Sequence, residues 1–322
     1  MKPLGRLFGV AVAMRNALYD RHLLRVRRLE GPVVSVGNLS VGGSGKTPFI
    51  ILLGELLKRR GVRFDVLSRG YGRQTRGVLL VHPRGTAAQF GDEPLLIARK
   101  LQVPVIVGED RYQAGRFAEE RFGPQLHLLD DGFQHRQLAR DFDLVLVTPE
   151  DTRDRLLPAG RLREPLSALR RADVIVLTGG ALSEGLPGDK RIWRARRGIR
   201  PHGVPARPVA FCGIARPQRF FLQLRKAGIE PAAEASYRDH HAYTPKDIAE
   251  LRWMRDQTEA GGFVTTEKDA INLGRLAQGL EPLAVVPVAM DLMDAPAALD
   301  LMLATIAERH GCEKMRCSDE SP

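Results

Sequence analysis

Residues 35–48, SVGNLSVGGSGKTP, decide the fold class of this 322-residue chain. A short apolar run precedes them, and FIILLGELLKRR follows with the apolar spacing of a helix. In the order strand, glycine-rich loop, helix, such a stretch is typical of a phosphate-binding loop, because glycine lets backbone N–H groups approach an anion closely. The residues predicted to contact phosphate are Gly42, Gly43, Ser44, Gly45, Lys46 and Thr47.

The two residues that end this loop predict the cofactors. Lys46 has the position that reaches the β- and γ-phosphates of ATP, and the Thr47 hydroxyl has the position that binds Mg²⁺. The strict motif has a glycine where this chain has Ser40, which weakens the formal match. An ordinary Gly/Ser turn is the alternative interpretation, but the strand before the loop and the helix after it favour a nucleotide site.

The composition indicates a globular protein with an anionic partner. Of the residues, 43% are hydrophobic, and 49 Lys and Arg against 38 Asp and Glu give a formal charge of +11. Such a surface favours nucleic acid, acidic headgroups or phosphorylated substrates. Only 6% of residues are aromatic and no basic stretch is interleaved with them, so we expect no nucleic-acid partner. Cys212, Cys312 and Cys317 form no CxxC pair, which argues against a disulfide framework or a zinc site and favours the cytosol.

The first 30 residues predict one basic amphipathic helix. Its apolar residues recur every three or four positions between arginines, and its uncharged segment is too short to span a bilayer. A signal peptide is an alternative interpretation, which the following nucleotide loop disfavours. Two placements of the helix remain equal on the sequence: on a membrane surface, or packed against the protein's own core.

Two acidic residues, Asp92 and Glu93, open the helical pattern PLLIARKLQ. Acidic side chains are favoured at a helix start by the helix dipole and the free N–H groups, so a purely structural role is one interpretation. The other is that Asp92 is a general base facing the nucleotide. The residues alone leave both open.

Residues 125–135, QLHLLDDGFQH, predict an apolar strand that ends in Asp130 and Asp131. In phosphate-loop proteins an aspartate at the end of an apolar strand holds the Mg²⁺ ion. We therefore predict Thr47, Asp130 and Asp131 as metal-side residues, with an acidic turn as the alternative. His135 follows the turn, where a surface histidine is the ordinary interpretation.

The segment LLPAGRLREP, residues 156–165, predicts a stiff basic loop. It carries Arg161 and Arg163, and the planar guanidinium suits bidentate recognition of phosphate. A solvated charged loop is the alternative.

Alternating strands and helices predict the fold class: an α/β protein with a parallel sheet of the P-loop NTPase type, flanked by helices, and a second, smaller α/β domain. The predicted divisions are an N-terminal helix at 1–30, a P-loop domain at 31–185, a short β linker at 186–207 and the second domain at 208–322.

Six motifs in the order of the chain, VGNLSVGGSGKTP, DDGFQH, LPAGRLREP, AFCGIARPQRFF, DHHAYT and TTEKDA, closely resemble those of the tetraacyldisaccharide 4′-kinases of lipid A synthesis. The resemblance implies transfer of the ATP γ-phosphoryl group to the 4′-hydroxyl of a tetraacylated glucosamine disaccharide 1-phosphate. It also implies a peripheral enzyme on the cytosolic face of the bacterial inner membrane, and we expect a monomer.

The resemblance also implies roles for single residues. Asp92 of GDEP and His240 of DHHAYT match a pair that acts on the acceptor hydroxyl, with Lys46 as a third catalytic residue. The family's metal and active-site cluster corresponds to DDGFQH, with His135 on the substrate side, and Arg163 of LREP matches a phosphate- or substrate-binding arginine. Arg216 departs from the pattern, where a small polar residue is expected.

Because His240 lies far from the phosphate loop in sequence, we expect two domains to close around the site. One rival interpretation is an ATPase or GTPase switch or metal-delivery protein, which the missing NKxD element and the missing Cys/His cluster disfavour. Another is a membrane-bound nucleotide sensor without catalysis, which would not need a base. The sequence leaves open the acyl-chain preference, which of Asp130 and Asp131 touches the metal, and, on physical grounds, the choice between His240 and His241.

Overall fold

The structure is a computed structural model and describes residues 2–179 and 185–311. Within these ranges the chain forms two sheets covered by helices, which confirms the predicted α/β class. The helices are α1 (Lys2–Asp20), α2 (Lys46–Arg59), α3 (Ala87–Phe90), α4 (Asp92–Leu101), α5 (Arg111–Phe122), α6 (Pro217–Lys226), α7 (Pro245–Thr258), α8 (Glu267–Leu273) and α9 (Ala295–His310). Short 3₁₀ turns cover Asp151–Arg153, Leu166–Arg171 and Gly274–Gly279.

The larger sheet has nine strands in the described part of the chain, in the order β13-β8-β7-β6-β1-β5-β2-β4-β3. Its strands are β1 (Val33–Asn38), β2 (Phe64–Ser68), β3 (Leu79–Leu80), β4 (Val105–Val107), β5 (Leu126–Asp130), β6 (Phe142–Val147), β7 (Val174–Thr178), β8 (Arg191–Ile199) and β13 (Val288–Leu292). All neighbours pair in parallel except the two edge strands, β3 and β13. Strands buried on both faces need apolar side chains on both sides, which explains the near-continuous apolar runs of β5, β6 and β7.

Strand β1 occupies the middle of this sheet, between β5 and β6. Strands β2 to β5 lie on one side of β1 and strands β6 to β8 on the other. The loop after β1 therefore opens at the point where the strand order reverses, at the carboxyl edge of the sheet, where open α/β folds bind ligands. Val36 of β1 pairs with Asp130 of β5. This register places the strand-end aspartates beside the loop.

The smaller sheet has the order β10-β9-β11-β12 and is parallel throughout. Its strands are β9 (Val209–Cys212), β10 (Ala233–Ser236), β11 (Phe263–Thr266) and β12 (Leu283–Val286). Strand β10 lies just before the polar stretch YRDHHAYT. The thiol of Cys212 is free and buried in this unit. Cys312 and Cys317 lie outside the described residues.

The apolar run LAVVPVAMD, residues 283–291, forms two strands in two different sheets. Pro287 separates β12 of the small sheet from β13 of the large one, because proline has no N–H for a sheet ladder. Met290 of β13 and Met302 of α9 are buried in the core of the large sheet, together with α2. We therefore propose that residues 288–311 belong to the larger domain, and not to the second domain that the sequence predicts at 208–322.

The N-terminal helix ends at Asp20, ten residues before the predicted end, and an irregular segment with one bridge, from Arg27 to Leu138, then leads to β1. Gly5 and Gly9 of α1 lie against the basic loop at Leu156, while Leu7, Val10 and Met14 are exposed. The helix thus packs on the protein with one face and leaves an apolar stripe uncovered. None of the helices in the described ranges combines the length and the apolar character that crossing a bilayer requires.

Candidate active site

The phosphate loop connects β1 to α2, and its glycines adopt backbone angles that other residues rarely reach. Gly42, Gly43 and Gly45 have φ angles of 72°, 71° and 92°. Helix α2 begins directly after Gly45, at Lys46, so the first N–H groups of the helix and its dipole point at the loop. The arrangement is that of an anion-binding site.

Ser40 replaces a glycine of the strict motif without distorting the loop. It forms an antiparallel bridge with Leu162 of the basic loop, which is ordinary extended pairing. The loop is held from inside by Asn38, whose amide nitrogen donates to the Ser40 carbonyl at 2.7 Å and to the Ser44 hydroxyl at 2.8 Å. The Asn38 carbonyl oxygen accepts from Lys46 at 3.1 Å. Lys46 is thereby held over the loop.

Asp130 and Asp131 have different surroundings although they are neighbours. Asp131 accepts two hydrogen bonds from Arg163, at 2.9 and 2.8 Å, and lies 3.4 Å from the Lys46 ammonium. Burial would raise the pKa of Asp131, but the charges of Lys46 and Arg163 hold it well below its usual range. Burial, together with repulsion from Glu93 and Asp131, raises the pKa of Asp130 to about 7.

The contacts of Asp130 also test the fit of a metal ion. One of its carboxylate oxygens accepts from the Ser68 hydroxyl at 2.8 Å, while the other is buried and has no hydrogen-bond partner. A buried oxygen without a partner, beside a second carboxylate and near Thr47, fits a divalent cation that neutralises it. The described residues contain no cluster of three or more His, Cys, Asp or Glu that could hold a metal. Mg²⁺ does not require one, since it binds one or two carboxylates together with substrate phosphates and water.

Asp92 and His240 meet across 148 residues of sequence. The Nδ1 atom of His240 lies 2.9 Å from both carboxylate oxygens of Asp92. Asp92 is 3% exposed, and its oxygens also accept from the Asn272 amide at 3.0 Å and from the Glu93 backbone at 2.8 Å. His240 adopts a left-handed backbone conformation, with φ of 58°. The neighbouring His241 instead lies 3.1 Å from Asp247.

Lys268 completes this cluster, and the sequence prediction did not include it. Its ammonium lies 3.2 Å from the Nε2 atom of His240, 3.2 Å from Glu93 and 3.2 Å from Asp239. Since an ammonium only donates hydrogen bonds, Nε2 accepts, and we assign the ring proton to Nδ1, facing Asp92.

The charges around this pair set the direction of both pKa shifts. Burial opposes ionisation of Asp92, but the hydrogen bond from His240 and the charge of Lys268 lower its pKa. Burial also opposes ionisation of His240, yet Asp92 raises the pKa of the imidazole, against the charge of Lys268. Both shifts favour an ionised carboxylate at Asp92.

The loop, the strand-end aspartates and the Asp92–His240 pair line one cavity of about 540 Å³, which we call the cleft. Lys46, Thr47 and Arg163 also line it, so the structure brings together every predicted site residue except His135. The guanidinium of Arg163 donates two hydrogen bonds to Asp131, so Arg163 holds that carboxylate in place.

His135 lies outside the cleft. It lines a second cavity, of about 230 Å³, with Tyr19, Arg27 and Tyr112. Burial and the charges of Arg111 and Arg140 lower its pKa to about 4, so the imidazole is neutral at pH 7.

The cleft is also lined by further charged residues that the sequence analysis does not predict as site residues, among them Arg197, Arg216 and Lys268. Arg197 lies on β8, and Arg216 precedes α6. Lys268 follows β11, and its signal was available: it comes directly after the carboxyl end of an apolar strand, where ligands bind in parallel sheets.

Comparison with known proteins gives the same family in three ways. The family model described as tetraacyldisaccharide-1-P 4′-kinase (LpxK) matches residues 1–307. The tetraacyldisaccharide 4′-kinase of Koribacter versatilis is 53% identical, over 97% of this chain and 100% of the relative, and that of Aquifex aeolicus is 40% identical, over 84% and 88%. The crystal structure of "apo" form LpxK from Aquifex aeolicus in complex with ATP superposes with a TM-score of 0.78 at 36% identity, over 94% of this chain and 98% of that one. The chain therefore belongs to the tetraacyldisaccharide-1-P 4′-kinase family.

Proposed function

We propose that this kinase transfers the γ-phosphoryl group of ATP, in the cleft, to the 4′-hydroxyl of a tetraacylated glucosamine disaccharide 1-phosphate, a precursor of lipid A. The observation that carries the assignment of the site is the 2.9 Å contact between Asp92 and His240, on the same cavity as the phosphate loop. A nucleotide-binding site without chemistry would not need a buried carboxylate paired with an imidazole.

Asp92 and His240 would act on the acceptor. A sugar hydroxyl is a poor nucleophile at neutral pH, so a kinase must orient it and accept its proton as the new bond forms. Asp92 is ionised and held by three neighbours, so its position is fixed before the acceptor binds. We propose that the pair accepts the proton, with the Asp92 carboxylate oriented by Nδ1 of His240.

Lys46 and the loop would stabilise the transferring group. The transition state of phosphoryl transfer spreads negative charge over the equatorial oxygens, which favours fixed cations and N–H groups around it. Thr47 and the free oxygen of Asp130 are the residues that would hold Mg²⁺, which supplies charge neutralisation of the β- and γ-phosphates when bound. Arg163 would keep Asp131 in place, so that its charge sets the position of Lys46.

The enzyme would work on a membrane surface, at the cytosolic face of the bacterial inner membrane, as a monomer. Three apolar side chains of α1, Leu7, Val10 and Met14, are 64–68% exposed and recur with helical spacing. An apolar stripe of this kind, with basic residues nearby, suffices for reversible attachment, since each Lys or Arg near an anionic surface contributes about 1 kcal/mol. Closure of the two domains around bound substrates is part of the same proposal.

The test is transfer of radiolabelled γ-phosphate from ATP to the acylated disaccharide 1-phosphate in detergent micelles. Wild type is compared with Lys46→Ala and Asp92→Ala, and with Lys226→Ala, an exposed lysine at the end of α6, as the control. We expect labelled lipid from wild type and the control, and a loss of at least about 100-fold in the two site variants. Release of free phosphate alone, with or without lipid, would show that the assignment is incorrect.

A further inference from the structure

Arg216, the residue that departs from the family pattern, lies directly on the phosphate loop. A Cβ atom added to Gly43 would lie 2.9 Å from Cγ and Cδ of Arg216, and one added to Gly42 would lie 2.6 Å from Cβ of Ala215. The segment before α6 therefore covers the part of the loop that, in phosphate-loop proteins, cradles the nucleotide phosphates. Arg216 also lines the cleft itself.

The guanidinium of Arg216 is buried without adequate partners. Its side chain is only 10% exposed, yet its contacts with oxygen are long: 3.5 Å to Thr148, 3.4 Å to Glu150 and 3.6 Å to Asp151. Its Nε and Nη2 atoms are buried and have no hydrogen-bond partner. A buried cation that lacks close acceptors is costly, which indicates that an anion completes the site.

A second arginine strengthens the same conclusion. Arg197 lines the cleft beside Arg216, and its Nε atom is also buried without a partner. Burial, together with repulsion from Arg219 and Arg216, lowers the pKa of Arg197 to about 10. The positive charge of Arg197 and Arg216 in the cleft therefore exceeds the negative charge of the carboxylates near them.

We propose that Arg216 binds the β- and γ-phosphates of the nucleotide from the side of the second domain, opposite Lys46. An arginine supplied in this way within the same chain would fix the polyphosphate from two sides and stabilise charge on the transferring group. It would also couple nucleotide binding to the contact between the two domains, because Arg216 belongs to the segment before α6 and the loop belongs to the large sheet. The inference rests on the proposed function of the cleft.

The experiment measures the affinity of the full-length protein for ATP and ADP with Mg²⁺, by calorimetry, in wild type, Arg216→Ala and Arg216→Lys. Hydrogen bonds to charged groups contribute strongly to the free energy of binding, so Arg216→Ala should weaken the affinity for ATP about 10- to 100-fold. Arg216→Lys should recover part of the loss, because it restores the charge but not the planar fork. An affinity for ATP within twofold of wild type in Arg216→Ala overturns the proposal.

Two matched variants separate phosphate binding from a latch between domains. Arg219→Ala removes the other arginine that contacts Glu150; Arg219 lies on α6 and does not line the cleft. The Arg219→Ala variant should keep its affinity for ATP within twofold of wild type. Glu150→Gln removes a carboxylate that competes with phosphate for Arg216, so ATP affinity should stay equal or rise. If both variants weaken ATP binding as much as Arg216→Ala does, Arg216 is a latch and the proposal is incorrect.

Binding of nucleotide is measured without the lipid. A wild type that fails to phosphorylate the disaccharide would therefore count against the proposed function alone, and the affinities would still decide the role of Arg216.

Discussion

Replacing Asp92 and His240 singly and together tests whether they act as one unit. The variants are Asp92→Asn, His240→Gln and the double substitution, each of which keeps the approximate shape of the side chain. Proton acceptance by a positioned group contributes about 10²- to 10⁴-fold to a rate, so each single variant should lower kcat about 10³-fold. Two independent residues would then give a loss of about 10⁶ in the double variant, since separate effects add as free energies.

The structure predicts a much smaller loss. Nδ1 of His240 contacts both oxygens of Asp92 at 2.9 Å, so either substitution already breaks the shared contact. Residues that act as a unit are strongly non-additive. We expect the double variant to lose about 10³- to 10⁴-fold, which corresponds to an interaction free energy of about 3 kcal/mol or more.

The assay is the initial rate of labelled phosphate transfer to lipid in micelles, with calorimetric unfolding of each variant to exclude misfolding. His241→Gln is the matched control, because His241 contacts Asp247 at 3.1 Å and its ring stacks on Tyr237, away from the cleft. It should keep kcat within about threefold of wild type. A double variant whose loss equals the product of the single losses, or a control as damaged as His240→Gln, would refute the idea of a single unit.

Three further predictions follow from other parts of the structure. Asp130→Asn should raise the Mg²⁺ concentration that gives half-maximal activity by about tenfold or more, because it removes the carboxylate oxygen that has no other partner. Removal of Mg²⁺ with a chelator should stop phosphate transfer in wild type. If the variant needs the same Mg²⁺ concentration as wild type, Asp130 is not a ligand of the ion. Burial opposes charge on His127, but hydrogen bonds and charges from Asp65 and Glu119 raise the pKa of its imidazole to about 9. This pKa is higher than that of a histidine in the unfolded chain. The contribution of His127 to the free energy of unfolding is therefore full below about pH 6.5 and is lost as the pH rises through about 9. Denaturant unfolding at several pH values should therefore show a smaller decline in His127→Gln than in wild type, and equal declines would contradict this. Combined Val10→Ser and Met14→Ser should reduce sedimentation with anionic vesicles about tenfold, whereas Trp253→Ser, which removes a similarly exposed apolar side chain from α7, should not.

Much of the fold could be predicted because local pattern determines it. The apolar runs of β1, β2, β4 and β5 alternate with the helices α2, α4 and α5, and this alternation favours a sheet with parallel strands and helices on both faces. The loop between β1 and α2 and the aspartates that end β5 are local features too, and the parallel register brings them together without further information. The edge strands of the large sheet could not be predicted in the same way, because Pro287 divides one apolar run into two strands that belong to different sheets.

The part of the site contributed by the smaller sheet could not be predicted on physical grounds. No physical signal in the sequence separates His240 from His241, whereas the structure places His240 on Asp92 in the cleft and His241 on Asp247. Arg216 makes its contacts with residues more than 60 positions away, Thr148 and Glu150. The residues next to a position in the sequence do not indicate such long-range contacts.

The pairing of β8 with β13 has a consequence for how the chain is built. Ile199 of β8 lies opposite Val288 of β13, so the polypeptide leaves the large sheet and returns to it at adjacent points. Residues 200–287 are therefore topologically an insertion into one antiparallel hairpin, and a short reverse turn would be enough to close the hairpin in their absence. The two connections between the sheets run side by side, and the backbone N–H of Arg200 donates to the Pro287 carbonyl at 3.1 Å where they meet.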